Sequence, residues 1–320
     1  FQMTIVMAAH DLEGILEKAD QCIFMKDGQI KAAGTPAEMA ETLWEHDREM
    51  GELMPQTIRL SERIGQKPDF SMGSLREKMK KTAYTTEHLR QEETEGRRIL
   101  KARGLYAGYG KKEILRDFSL DLREKEFLAV LGANGSGKTT LLKCLSGQMK
   151  GSGKIDVKGK CAVLPQEPEL LFVKDKLRDD LEENSGGKTS LLEQYINLCG
   201  MEGQMESHPY DLSGGQQQMA ALIKVLLTEP DILLLDEPTK GMDRLHKMRL
   251  GQVFQQLCRK GTAILCVTHD MEFAAAFAGR AAMLFDGKLE GEDRPGAFFT
   301  NNYFYTTTAA KNTRGLKQPV

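Results

Sequence analysis

Eight consecutive residues constrain this chain more than anything else in it: Gly132-Ala133-Asn134-Gly135-Ser136-Gly137-Lys138-Thr139, the pattern G-x-x-x-x-G-K-[ST]. They follow the apolar run Phe127-Leu128-Ala129-Val130-Leu131, which reads as a strand, and they lead into a helical stretch from Thr140. Glycines in such a turn let successive backbone N–H groups curl round phosphate oxygens, and the helix N-terminus adds a partial positive charge. The chemistry expected is nucleotide phosphate binding, with Lys138 reaching the β- and γ-phosphates and the Thr139 hydroxyl ligating Mg2+. A second Gly-Lys-Thr, Gly187-Lys188-Thr189, does not qualify, because the first glycine of the pattern would fall at Glu182.

A second strand supplies carboxylates. Asp231-Ile232-Leu233-Leu234-Leu235-Asp236-Glu237-Pro238 is an apolar run ending in two acids, as expected of a buried parallel strand. Ligands bind at the C-terminal ends of such strands. Asp236 is thereby placed to hold the hydration shell of Mg2+, and Glu237 to orient an attacking water or take its proton. Between the two motifs lies Leu212-Ser213-Gly214-Gly215-Gln216, ahead of a helical stretch over 217–227. Ser213 can cap that helix while the glycines expose backbone amides, which makes a second anion-binding element.

In this order the motifs resemble the ATP-binding-cassette (ABC) ATPases, over residues 99 to about 295. The resemblance implies an α/β P-loop NTPase fold, with a parallel-sheet core and antiparallel-β and helical subdomains, that hydrolyses ATP with Mg2+. It assigns nucleotide binding to Gly132, Asn134, Gly135, Ser136, Gly137, Lys138, Thr139 and Thr140. Tyr109, in Gly108-Tyr109-Gly110, matches the aromatic that stacks on adenine. Gln166, in Leu164-Pro165-Gln166, matches the glutamine that senses Mg2+ and the attacking water, so the implied metal set is Thr139, Gln166 and Asp236. His269, after the strand-like 263–267, matches the histidine on the γ-phosphate; with Glu237, Gln166 and Lys138 it forms the implied catalytic set. Ser213, Gly214, Gly215, Gln216 and Asp243 match elements that close over ATP held by another cassette, giving two sites in a head-to-tail dimer. Two positions depart from the family pattern. Met219 stands where many members have arginine, and Lys240-Gly241-Met242 stands where Ser-Ala-Leu is commoner.

Composition narrows the partners. Forty-four Lys and Arg against 46 Asp and Glu leave a net charge of −2, which provides no general basic field for nucleic acid. Apolar residues at 40% are enough for a packed core, yet no run approaches the length of a membrane-spanning helix. The six cysteines are scattered without a Cys-x-x-Cys pair, so they are expected to be small buried hydrophobes in a reducing compartment.

The two ends of the chain carry a repeat. His10-Asp11, Glu13, Asp27 and Gly28 recur as His269-Asp270, Glu272, Asp286 and Gly287, each 259 residues on. Each copy reads as strand, His-Asp, helix, strand and tight Asp-Gly turn. The division expected is residues 1–35, the C-terminal remnant of a first ABC ATPase domain; 36–98, a C-terminal extension and linker; and 99–320, a complete domain with a C-terminal tail. The chain is thus expected to be an N-terminally incomplete piece of a tandem protein. Its second ABC domain would come from the missing N-terminal part or by homodimerisation.

Three stretches look like energy-coupling-factor (ECF) importers, whose tandem ATPases drive vitamin or metal-ion uptake: Leu53–Leu60, Lys224–Gly241 and Asn301–Thr307. That resemblance implies a transmembrane coupling subunit and a substrate-binding membrane subunit as partners, and a peripheral position on the cytoplasmic face of the membrane. The competing expectation is a soluble tandem ABC ATPase acting on ribosomes. Its inter-domain arm should be basic to meet RNA, whereas residues 36–98 hold 13 acidic and 11 basic side chains.

Overall fold

The computed structural model describes residues 3–9, 12, 15–26, 28–46, 54–63, 67, 70, 96–301 and 307. His10, Asp11, Glu13 and Asp27 of the repeat, Leu53, and nearly all of the 75–98 linker and of the 301–307 tail lie outside them. The chain divides into two compact units.

The first unit contains an antiparallel hairpin of β1 (Cys22–Lys26) and β2 (Gln29–Gly34), then α1 (Pro36–His46) and α2 (Gln56–Arg63). Thr35 and Glu38 cap α1 reciprocally: the Thr35 N–H donates to Glu38 Oε2 at 2.8 Å and the Glu38 N–H to Thr35 Oγ1 at 3.4 Å. Sequence composition suggests a mostly solvated extension after residue 36, but Met39, Ala40, Met54 and Ile58 join Leu16 in a small buried cluster. Apolar spacing on two short helices supplies one face each, and burial against one another follows.

The second unit opens with β3 (Arg98–Tyr109), β4 (Lys112–Arg123), β5 (Phe127–Leu131) and α3 (Lys138–Leu145). It continues through β6 (Ser152–Val157), β7 (Cys161–Leu164), α4 (Leu177–Ser185), α5 (Thr189–Cys199) and α6 (Gly214–Leu226). It closes with β8 (Ile232–Asp236), α7 (Arg244–Lys260), β9 (Ala263–Thr268), α8 (Met271–Phe277), β10 (Arg280–Phe285), β11 (Lys288–Asp293) and α9 (Pro295–Asn301). Six strands form the main sheet in the order β11-β10-β5-β9-β8-β7, parallel except for the edge strand β11. β4, β3 and β6 form a separate antiparallel sheet. This is the α/β arrangement expected: every residue of β5, β8 and β9 is buried, which is why those strands read as unbroken apolar runs. Glu126, ahead of β5, is buried and accepts both Nε and Nη2 of Arg280 on β10, at 2.7 and 3.2 Å, so the one charge at the sheet's base is paired.

The repeat recurs as geometry. β1–β2 pairs Cys22 with Gly34, Ile23 with Ala33, Met25 with Ile30 and Lys26 with Gln29. β10–β11 pairs Ala281 with Asp293, Ala282 with Glu292, Leu284 with Leu289 and Phe285 with Lys288, the same register 259 residues later. Both hairpins break register at the corresponding position, Phe24/Met25 and Ala282/Leu284. Gly28 and Gly287 both turn with positive φ, at 71° and 76°. The surroundings differ: Ala282 and Leu284 are buried because β10 pairs with β5, while Ile23 and Met25, in a two-stranded sheet, are 65% and 61% exposed.

Candidate functional site

A cleft of about 470 Å3 opens at the C-terminal ends of the parallel strands. The strands deliver its groups: β5 the loop before α3, β7 Gln166, β8 Asp236 and Glu237, β9 His269. Gly135 and Gly137 take φ values of 81° and 107°, which the turn into α3 requires; a Cβ on Gly137 would also sit 2.9 Å from Ile114. α3 begins at Lys138, two residues earlier than its apolar pattern suggests, so its first amides face the cleft.

Asn134, Gly135, Gly137, Lys138, Thr139, Thr140, Gln166, Asp236, Glu237 and His269 all line this cleft. Ser136 lies within the same loop with its hydroxyl buried and without a hydrogen-bond partner, and Gly132 contributes its carbonyl to Lys138. Lys138 Nζ donates to Gly132 O at 2.7 Å and Ala133 O at 3.2 Å, and lies 3.1 Å from Glu237 Oε1. Glu237 sits at φ 48°, a left-handed conformation uncommon outside glycine. Its N–H donates to Val267 O at 2.9 Å, and its Oε2 is met at 3.1 Å by the N–H and at 2.8 Å by Nδ1 of His269.

Asp236 is buried, and its Oδ1 has no hydrogen-bond partner. Burial raises its pKa above the ordinary carboxylate value, against the lowering effect of the Thr139 hydroxyl. An unpartnered carboxylate oxygen beside a hydroxyl fits a hard divalent cation. Among the described residues no group of three His, Cys, Asp or Glu could hold a metal alone, which agrees with an ion shared between one hydroxyl, one carboxylate and phosphate oxygens. Behind the strand ends, Asp270 accepts the Phe273 N–H at 2.9 Å, capping α8, and pairs with Lys247 at 2.7 Å.

The other expected residues lie elsewhere. Ser213 and Gln216 form a capping box at the start of α6, with the Ser213 N–H donating to Gln216 Oε1 at 2.9 Å and the Gln216 N–H to Ser213 Oγ at 3.3 Å. Neither these two, nor Gly214 and Gly215 in the helix's first turn, line the cleft. Asp243 directly precedes α7, also outside the lining. Tyr109 ends β3 with its ring 55% exposed, outside the lining as well. Three residues that sequence reasoning did not select do line the cleft: Lys112, Ile114 and Lys240. Met219, in the place of the usual arginine, is buried in α6, while Lys224, five residues on and partly buried, is ion-paired with Asp180. The six cysteines are free thiols, four of them buried, as small hydrophobes would be. Among the described residues no helix is long and apolar enough to cross a membrane.

The family model described as "ABC transporter" matches residues 115–240, from β4 through the loop after β8. An ABC transporter ATP-binding protein of Bacillus thuringiensis subsp. konkukian is 34% identical over 332 residues, covering 96% of this chain and 60% of that one. The chain therefore spans about 60% of the length of such relatives. An aliphatic sulfonates import ATP-binding protein of Mesorhizobium japonicum is 35% identical over 203 residues, 61% of this chain and 80% of that one. Among solved structures, cbiO1 of Clostridium perfringens, part of the ABC transporter complex cbiONQ, superposes with a TM-score of 0.58 at 23% identity over 63% of this chain and 90% of that one. A dimeric bacterial ABC transporter cassette gives 0.56 at 24% identity, over 61% and 98%. At these identities the solved structures show a shared fold. The chain belongs to the ABC transporter family, and its relatives there are ATP-binding proteins.

Proposed function

We propose that this chain powers a membrane importer of the energy-coupling-factor type, for a vitamin or metal ion, by ATP-driven closure of two cassettes. The observation that carries this reading is the separation of the two nucleotide-contacting sets: the phosphate loop, Asp236, Glu237, Gln166 and His269 converge on one cleft, while Ser213–Gln216 and Asp243 stand outside it. A second cassette would bring its own signature helix over this cleft, and this chain's α6 would cover the other. Tyr109 would stack on adenine.

In the closed site Lys138 releases Glu237 and turns to the β- and γ-phosphates. Thr139, Asp236 and Gln166 would hold Mg2+, which would neutralise charge developing on the phosphate oxygens. Glu237 then orients the attacking water and takes its proton, and His269, hydrogen-bonded to Glu237, fixes the carboxylate toward the γ-phosphate.

The identical register of the two hairpins supports a first unit that is the end of an earlier cassette, as in a tandem ATPase. The relatives longer than this chain, and the fold shared with cbiO1, part of the ABC transporter complex cbiONQ, support a tandem importer ATPase seated on membrane coupling and substrate-binding subunits. To test this, the Glu237→Gln variant is purified with ATP from detergent-solubilised cells and its companions are identified by mass spectrometry. Small polytopic membrane proteins are expected. Ribosomal proteins in their place would overturn the importer reading.

A further inference from the structure

One cation in the cleft has no place in the machinery above: Lys240, in the loop where the family commonly has a small polar residue. Its backbone is fixed close to the general base. The Lys240 N–H donates to Glu237 O at 3.1 Å, the Met242 N–H donates to Thr239 O at 3.2 Å, and Gly241 turns at φ 72°. Met242, 3% exposed, anchors the far side of the turn, while Lys240 is exposed at the rim and lines the cleft with Glu237, Gln166 and His269.

Beyond Lys138 and the Mg2+ that Asp236 would hold, a further cation at this end of the cleft would favour the more highly charged ligand. Asp236 and Glu237 bring two carboxylates to the place where the terminal phosphate must sit. The one buried cation there, Lys138, already carries Glu237 Oε1 and two carbonyls. A triphosphate adds a further negative charge beside those acids that a diphosphate does not. Lys112 is a second lining cation outside that machinery, paired with Tyr109 in the β3–β4 ladder, whereas the backbone of Lys240 is hydrogen-bonded to Glu237.

We propose that Lys240 contacts the terminal phosphate of the bound nucleotide and makes this site discriminate a nucleoside triphosphate from the diphosphate. The inference rests on the cleft being the nucleotide site, so the test separates the two. Affinities of the full chain for Mg2+·β,γ-imido-ATP and for Mg2+·ADP are measured by displacement of a fluorescent ADP. Lys240→Ala should weaken the imido-triphosphate about fivefold, a loss in the range of one charge-assisted hydrogen bond, and leave ADP within about twofold. Lys240→Arg should restore most of the difference, and Lys111→Ala, which removes the same charge outside the cleft lining, should change neither. Equal weakening of both nucleotides would make Lys240 a general field charge, and no weakening would make it a solvated rim lysine; either overturns the proposal. Lys138→Ala serves as the check on the site itself: if it binds both nucleotides as tightly as the unaltered chain, the nucleotide cleft has been misplaced and the Lys240 proposal falls with it.

Discussion

Lys138 Nζ and Glu237 Oε1 lie 3.1 Å apart, each side chain 7% exposed, so the cation of the phosphate loop and the carboxylate that follows β8 hold one another. The pairing keeps two buried charges satisfied until phosphate replaces the carboxylate. Glu237→Gln removes the base and loosens this competition. ATP hydrolysis should fall at least about 100-fold, with ATP affinity unchanged or tighter. A steady-state assay beside a binding isotherm checks both, and full hydrolysis by the variant would remove Glu237 from the mechanism.

Asp236 is a different case, a carboxylate whose burial works against its charge. Its pKa is raised in the folded chain, so without metal it costs stability once the pH climbs above the unfolded value, about 3.9. Asp236→Asn is therefore expected to raise the melting temperature of the nucleotide-free chain at pH 7 to 8, while abolishing Mg2+-dependent hydrolysis. Thermal melts with and without Mg2+·ATP read this out; a variant less stable than the parent without metal would contradict it.

Asp270 carries the opposite sign. Burial alone would raise its pKa, but the Lys247 ammonium, the Phe273 amide and the Thr239 hydroxyl together outweigh it, and the net shift is downward. A depressed carboxylate stabilises the fold above its unfolded pKa and loses that contribution as pH falls through the folded one. Asp270→Asn should cost about 1 to 2 kcal/mol at neutral pH, and that cost should shrink as the pH falls below about 4. Urea denaturation at pH 7 and pH 3.5 measures the gap, and a gap that widened in acid would refute the assignment.

Lys224 tests the helical subdomain. It reaches Asp180, which is fully buried, and the carbonyl of Leu171, and it lies 5.8 Å from the Phe172 ring centroid. Asp180 in turn accepts the amides of Val173 and Lys174 at 2.7 and 3.1 Å. Lys224→Met strands that carboxylate, and the expected loss is about 3 kcal/mol, with Lys224→Arg losing less. A chemical-denaturation loss under about 1 kcal/mol would mean that water reaches the pair.

The cleft was legible because its chemistry is local. A phosphate loop is a run of backbone amides set by glycines at fixed spacing, and Asp236-Glu237 end an apolar strand that can only be central in a parallel sheet. Helix starts were less so. α6 begins at Gly214 and not at residue 217, because the capping box of Ser213 and Gln216 draws both glycines into the first turn. What joins residues far apart could not be read at all. Lys112 reaches the cleft from β4 and Lys240 from the loop after β8, and Asp180 meets Lys224 across 44 positions, because a lysine's neighbours are set by folding and leave no period in the sequence. The repeat lies between these extremes: a shift of 259 residues was visible in a few polar positions, but the shared register break emerged only from the paired strands.

The Ser213 hydroxyl is an acceptor toward the Gln216 amide, which uses a lone pair and leaves its proton to donate. A helix start that completes its own wiring in this way holds the Ser213 oxygen in place, so an anion arriving there would meet a donor whose side chain is already positioned. Release is equally undemanding, because nothing in the turn must reorganise when the anion departs. An interface assembled on such a contact can be made and broken in every turnover without unravelling the helix behind it.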